Sequence, residues 1–339
     1  MWRQFAEPKL MDEVLRLPEL HRLAHLGLLA DASYLIKFGT DVDGLSKDGS
    51  TPLHIACLAV QEKMVELLLN QGADPLKPNG EGDVSIHIAA RVGSIPILKL
   101  LMKRQVPLEV ENQLKLTPLQ VAAKAGQTKA VQFLISAGAK VWARSRSSGL
   151  GCLELAATTG CEATTRHLLN AGAPLGRALH IAAAAGHTAV VALLLDNGLD
   201  VNAPDHNEDT PLHLAVIGGH LATIDLLASR GANLNQKGCD GARPVNLARS
   251  SRILEWFQDH GVKGLLSSAA TDEERWVCWT RRWSTGRQME ATSPEPWTPC
   301  LRAKTSWRRY SPSSLSRLRN DESEWTLPTG VREHGRCSR

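Results

Sequence analysis

The residues best equipped for chemistry recur at a fixed interval. His21, His54, His87, Gln120, Glu154, His180, His213 and Asn246 follow one another at steps of 33, 33, 33, 34, 26, 33 and 33 positions. A row of imidazoles with a carboxylate among them could hold a metal or relay protons. The regularity points elsewhere. A side chain that is polar in every copy, always one place after an apolar residue, is the kind that satisfies backbone groups where repeated units stack. The seven cysteines are odd in number and irregularly spaced, with no Cys-x-x-Cys, so neither a disulfide framework nor a zinc site is signalled. Reduced thiols fit, with Cys57, Cys152 and Cys161 read as small packing groups on helices. No Gly-x-x-x-x-Gly-Lys phosphate loop occurs. Paired acids such as Glu81 and Asp83 fall on predicted hairpins, exposed to water, a setting that does not mark them as an acid-base pair. The expectation is no catalytic residue, no metal and no cofactor.

The elements that carry the row are legible from Asp205 to Asn235. Thr210 has the hydroxyl of a helix N-cap, and Pro211 sits where a missing N–H costs nothing, so a helix is predicted to start there. Leu212, Leu214 and Ala215 give it an apolar face, and Gly218-Gly219 ends it. A second helix is predicted from about Leu221 to Ser229, with Gly231 as a left-handed cap. The apolar anchors of the other copies are Leu20, Leu53, Ile86, Leu119, Leu153, Leu179 and Val245, which with Leu212 makes eight units. Thr210-Pro-Leu-His-Leu-Ala215, followed by Gly-His and by Gly231-Ala-Asn233, resembles the ankyrin repeat. The resemblance runs from about Leu10 to Gly264 and implies an all-α solenoid of helix-turn-helix units joined by β-hairpin loops. Residues 1–9 form a lead, 10–264 the array and 265–339 a tail.

The units are not alike. Val84-Ser85 replaces Thr-Pro in the third, and Gly151-Cys152 replaces it in the fifth, where Glu154 also enters the polar row and Arg144-Ser-Arg-Ser-Ser-Gly149 makes a basic hairpin. Between the fifth and sixth the step falls to 26. Gly172-Ala173 ends one helix and Ala178-Leu179-His180 starts the next, so one hairpin finger is missing. The first unit begins on Pro18-Glu19 and the last places Arg249 and Arg252 where interior units have small or apolar residues, as terminal caps require.

The chain carries 39 Lys and Arg against 35 Asp and Glu, and residues 1–264 hold 26 of each sign. A neutral array argues against a phosphate-tracking surface, so nucleic acid is not the expected partner. The tail has no Ile or Phe but six of the nine tryptophans, and three readings stay open for it. It is a disordered arm, the translation of an unintended frame, or a partner-binding segment with Trp anchors. No run of 18 apolar residues occurs and Met1-Trp2-Arg3-Gln4 lacks a signal-peptide core, so a soluble protein of cytoplasm or nucleus is expected, without a membrane span.

What the resemblance implies is a non-enzymatic scaffold, monomeric and without a small-molecule substrate, that binds a protein on the concave face. Ala56, Ala89, Ala122, Ala156, Ala182 and Ala215 would let the inner helices stack closely. The hairpin tips then offer Lys47, Asp48, Glu81, Asp83, Lys115, Arg146, His206, Asn207 and Asp209, and the inner helix ends Arg91, Lys124 and Ile217. The alternative is a substrate-recognition adaptor or regulatory subunit of a ubiquitin-ligase or kinase assembly, although no recruitment box is recognisable between Leu265 and Arg339. Asn202, with Leu194 eight places before it and Asp200-Val201 just before it, resembles the pattern that an iron-dependent asparaginyl hydroxylase modifies. An Asn in a hairpin also has a plain structural reason to be there, since it tolerates left-handed angles and bonds the local backbone.

Overall fold

Each regular unit begins where a hydroxyl meets a polar side chain three residues on. The Thr51 hydroxyl accepts from the His54 N–H at 3.3 Å and the Thr51 N–H donates to His54 Nδ1 at 3.0 Å, a reciprocal cap for donors that a helix start leaves without partners. Pro52 supplies the first helical residue with its φ already set. Thr117 and Gln120 repeat the cap, and the Thr210 N–H donates to His213 Nδ1 at 3.1 Å. Val84 and Gly151 have no hydroxyl to offer. There only the returning bond remains, from Val84 N–H to His87 Nδ1 at 3.2 Å and from Gly151 N–H to Glu154 Oε2 at 2.6 Å.

The computed structural model describes residues 17–262, so the expectations for the lead and the tail fall outside the described residues. The first unit pairs α1 (Glu19–Leu26) with α2 (Leu29–Lys37), and the second α3 (Pro52–Leu58) with α4 (Glu62–Asn70). Then come α5 (Ser85–Val92) with α6 (Ile95–Lys103), α7 (Pro118–Lys124) with α8 (Thr128–Ser136), and α9 (Cys152–Thr159) with α10 (Glu162–Asn170). The sixth and seventh units are α11 (Ala178–Ala185) with α12 (Thr188–Asp196) and α13 (Pro211–Gly218) with α14 (Leu221–Ser229). First helices pack on first helices along the array, and second helices on second helices. All eight anchors are at most 5% exposed and belong to one continuous apolar core. Burying each contributes roughly 1.5–3 kcal/mol, more than the ~1 kcal/mol that a missing cap costs, which is why the third and fifth units still form.

Six hairpin fingers connect the units, at residues 46–50, 79–83, 112–116, 145–150, 205–209 and 238–242. Each is closed by a bond from the N–H of its first residue to the carbonyl of its last, as from Ser46 to Ser50 at 2.9 Å and from Asp205 to Asp209 at 2.8 Å. The fingers are turns rather than extended ladders: among the described residues the antiparallel bridge between Arg144 and Gly151 is isolated and no strand forms. The joint at 172–178 carries no finger, as the step of 26 requires.

The last unit is three residues short of the regular spacing, and the loss falls on its first helix. Pro244–Leu247 makes only a 3-10 turn before α15 (Ser251–Asp259). Phe257 is buried against the stack while Arg249 and Arg252 face water.

Candidate functional site

Beyond the cap at its own helix start, the polar row reaches forward. His21 Nε2 meets Ser50 O at 2.9 Å, and His87 Nε2 meets Val110 O and Leu116 O at 3.1 and 3.0 Å. Gln120 Nε2 donates to Ala143 O and Leu150 O at 3.0 and 3.3 Å, His180 Nε2 meets Ala203 O at 2.9 Å, and His213 Nε2 meets Ala242 O at 3.2 Å. The row therefore ties the start of one unit to the loop of the next, and among the described residues no three His, Cys, Asp or Glu side chains gather as a metal site would need. Burial lowers the pKa of His54 to about 4 and also lowers those of His21, His87 and His180, so these rings are neutral at pH 7.

A second polar column, at the start of the second helices, is not visible from the anchor motif alone. Gln61 Nε2 donates to His25 O at 3.1 Å, His187 Nε2 meets Thr158 O at 3.1 Å and His220 Nε2 meets Ala184 O at 3.0 Å, each reaching back to the preceding unit. The signal for it was the same step of 26 and 33 in the positions 161, 187 and 220. Cys161 occupies this column, with Sγ 3.1 Å from Thr164 Oγ1 and 3.5 Å from Gly126 O. The packing reading holds for Cys57 and Cys152, whose thiols burial pushes up, that of Cys152 to about 12. It does not hold for Cys161. Partial burial raises its pKa, but hydrogen bonding by Thr164 outweighs that and leaves the thiol below its ordinary value.

The surface residues chosen from sequence divide in two. Lys47, Asp48, Glu81, Lys115, Arg146, His206 and Asn207 stand exposed on the fingers. At Asp48 burial pushes the carboxyl pKa up, yet hydrogen bonds from the Ser46 and Ser50 hydroxyls outweigh it and hold the group below its usual range. Asp83 and Asp209 are buried, not exposed. They occupy the last position of their fingers, where the chain turns inward to the helix. Asp83 pairs with Arg91 and accepts from Asn112 Nδ2 at 2.7 Å, and Asp209 Oδ1 accepts from Cys239 N–H at 3.3 Å. Glu81 also lies 3.4 Å from Arg91, whose side chain keeps 42% of its exposure. Charge type suggested water for Asp83. The cation eight residues on, projecting from the helix end, is what permits burial instead. Lys124 and Ile217 are half-buried at the ends of their helices.

Asn202 bridges two loops. Its Oδ1 accepts from Asn233 N–H at 2.7 Å and its Nδ2 donates to Gly231 O at 3.2 Å, while Asp200 Oδ1 accepts from its own N–H at 2.9 Å.

Stacked helix pairs, reciprocal caps at the regular helix starts and fingers held from the preceding unit define a helical repeat solenoid. The family model for three consecutive ankyrin repeats matches residues 86–177 and 153–238, and that for the single ankyrin repeat matches residues 48–80. The chain belongs to the ankyrin-repeat family. It is 33% identical over 190 residues to the B-cell lymphoma 3 protein homolog of Mus musculus, covering 52% of this chain and 42% of that protein. To the B-cell lymphoma 3 protein of Homo sapiens it is 28% identical over 207 residues, 58% of this chain and 44% of that protein. To the nuclear factor NF-kappa-B p105 subunit of Gallus gallus it is 31% identical over 168 residues, 44% of this chain and 16% of that protein. The match thus spans less than half the length of each of these relatives. Family and relatives together support a protein-interaction role. No helix among the described residues is long and apolar enough to cross a membrane.

Proposed function

We propose that the protein is a non-enzymatic scaffold that binds a protein partner across the finger tips and the concave side of the array, acting as a monomer in the cytoplasm or nucleus. The observation that carries this is the division of polar side chains. Those at finger bases and helix starts are buried and committed to holding the backbone, whereas the tips at Lys47, Asp48, Glu81, Lys115, Arg146, His206 and Asn207 face water with mixed charge. Side chains not needed by the fold are the ones free to specify a partner. Asp83 and Asp209 act through the fold, by holding their fingers, and Asn202 is a modification site within a loop joint.

Lysine cross-linking of the full chain in a cell extract, read by mass spectrometry, tests the face. Links from Lys47, Lys115 and Lys124 to one recurrent protein are the expected result. Links confined to Lys63, Lys99 and Lys103 on the second helices would place binding on the opposite side and overturn the reading.

A further inference from the structure

One finger is missing from the row, and two hydrogen-bonding edges stand open where it would lie. Among the first four fingers the third residue of one offers its carbonyl to the next, a contact not repeated between the fingers at 205–209 and 238–242, where the Cys239 N–H meets Asp209 Oδ1 instead. Asp48 O accepts from Gly80 N–H at 3.1 Å, Glu81 O from Gln113 N–H at 3.3 Å, and Leu114 O from the hydroxyls of Ser145 and Ser147 at 3.0 and 2.5 Å. The next carbonyl in this series is Ser147 O, and no donor among the described residues reaches it. On the far side of the gap the second residue of a finger, the donor in this pattern, is His206, and its N–H meets no acceptor among the described residues. Open backbone edges of this kind are templates for another chain.

The helices beneath the gap are continuous. Cys152–Thr159 packs on Ala178–Ala185, which packs on Pro211–Gly218. The opening is therefore one finger wide, on the order of 10 Å, the spacing of adjacent packed elements. Its floor is Pro174, Leu175 and Gly176, all exposed, followed by Arg177, which makes no ion pair among the described residues. Arg144, 49% exposed, lies beside that floor, 3.6 Å from Glu154. The Glu154 carboxylate is buried and occupied by the N–H groups of Gly151 and Arg177, so the exposed charge on the floor itself is that of Arg177 and Arg144, while the far finger carries the carboxylates of Asp205 and Glu208.

We propose that this gap is a docking slot for a turn of a partner protein that carries a carboxylate, the turn standing in for the absent finger. Its backbone donates to Ser147 O and accepts from His206 N–H, and its carboxylate sets against Arg177 and Arg144. Main-chain pairing supplies attachment and the arginines supply selection for an acidic side chain. The proposal rests on the reading of the finger row as a protein-binding face.

The probe is a finger taken from the array itself, a cyclic peptide of residues 77–85 with Glu81 and Asp83, titrated against the full chain by calorimetry. Saturable one-to-one binding is expected, weakened about fivefold by Arg177→Glu. Binding should vanish in a chain whose residues 174–177 are replaced by residues 200–210 together with Glu154→His, which rebuilds a finger in the gap. Circular dichroism shows whether that filled chain folds; if it does not, Arg177→Glu and a peptide with Glu81→Gln and Asp83→Asn decide the matter. Absence of binding at millimolar peptide, or equal binding to the filled chain, overturns the slot. Self-association of the unaltered chain that the filled chain loses would give the gap to a second copy and likewise overturn it. Cross-links from the tip lysines that persist in the filled chain would leave the scaffold reading standing while the slot falls.

Discussion

Glu154 Oε1 accepts the backbone N–H of Arg177 at 3.0 Å, across the joint that lacks a finger. At the equivalent place His87, Gln120, His180 and His213 meet a carbonyl of the next loop. A full finger presents C=O to this position and the shortened joint presents N–H. A side chain with two acceptors and no donor is what such a joint needs, because Oε2 must still receive the Gly151 N–H.

Glu154→His should therefore destabilise the array even though histidine is the commonest residue in the row. It leaves the part-buried Arg177 N–H without an acceptor and removes the carboxylate beside Arg144. The expected loss is about 1–3 kcal/mol by chemical denaturation. An unchanged midpoint would refute the matching of donor to acceptor.

Acid should unfold the array through its buried rings. Burial lowers the His54 pKa to about 4, whereas the unfolded chain takes up that proton near 6.5. The unfolded state is thus protonated first, so the stability tied to His54 is intact above pH 6.5 and is lost as pH falls towards 4, on the order of 3 kcal/mol in all. His21, His87 and His180 shift in the same direction. Gln120 shows that an amide can fill the position, accepting from Thr117 N–H at 2.8 Å. His54→Gln should move the acid-unfolding midpoint to lower pH, and a midpoint that stays or rises would clear His54 of the role.

The joint between the fifth and sixth units should open before the rest. It has no finger, and Gly151 supplies no capping hydroxyl. Hydrogen exchange is expected to run ahead at residues 145–178 relative to 186–230. Gly176→Ala should widen the difference by about 1–3 kcal/mol, since φ is +47° and a Cβ would lie 2.5 Å from Glu154 Oε1 and 2.9 Å from an Arg144 guanidinium nitrogen. Equal protection of the two stretches would show that Glu154 alone restores the joint.

Asn202 should be hydroxylated in part, and slowly. Both ends of its amide are engaged by the Asn233 and Gly231 backbone, so an enzyme meets the side chain only when the loop lets go. After incubation with an asparaginyl hydroxylase, iron and 2-oxoglutarate, mass spectrometry should place added oxygen on Asn202. A bare peptide beside a modified control would end the idea.

Periodicity carried the fold. A step of 33 placed Leu53, Ile86 and Leu212 in the core, and its single contraction located the missing finger, because stacked units leave an anchor little freedom to drift. The helix from Leu221 to Ser229 followed from its flanking glycines. Local chemistry misled at Asp83, where a charged residue on a hairpin proved buried, since its neutralising partner Arg91 comes from a different element. Cys161 misled likewise: it was read as a packing group, but Thr164 of its own helix and the Gly126 carbonyl of the preceding unit give it polar company. Contacts between units are the part that a linear pattern states least directly.

The forward reach of the polar row gives the molecule a direction. His21 fixes the loop at Ser50, His87 the loop at Leu116, Gln120 the loop at Leu150 and His213 the loop at Ala242, so each clasp belongs to the earlier unit and waits for the later one. A ribosome delivers the chain in that same order. Each finger emerging from the exit tunnel finds its receptor already built, so synthesis can lay down the solenoid one course at a time.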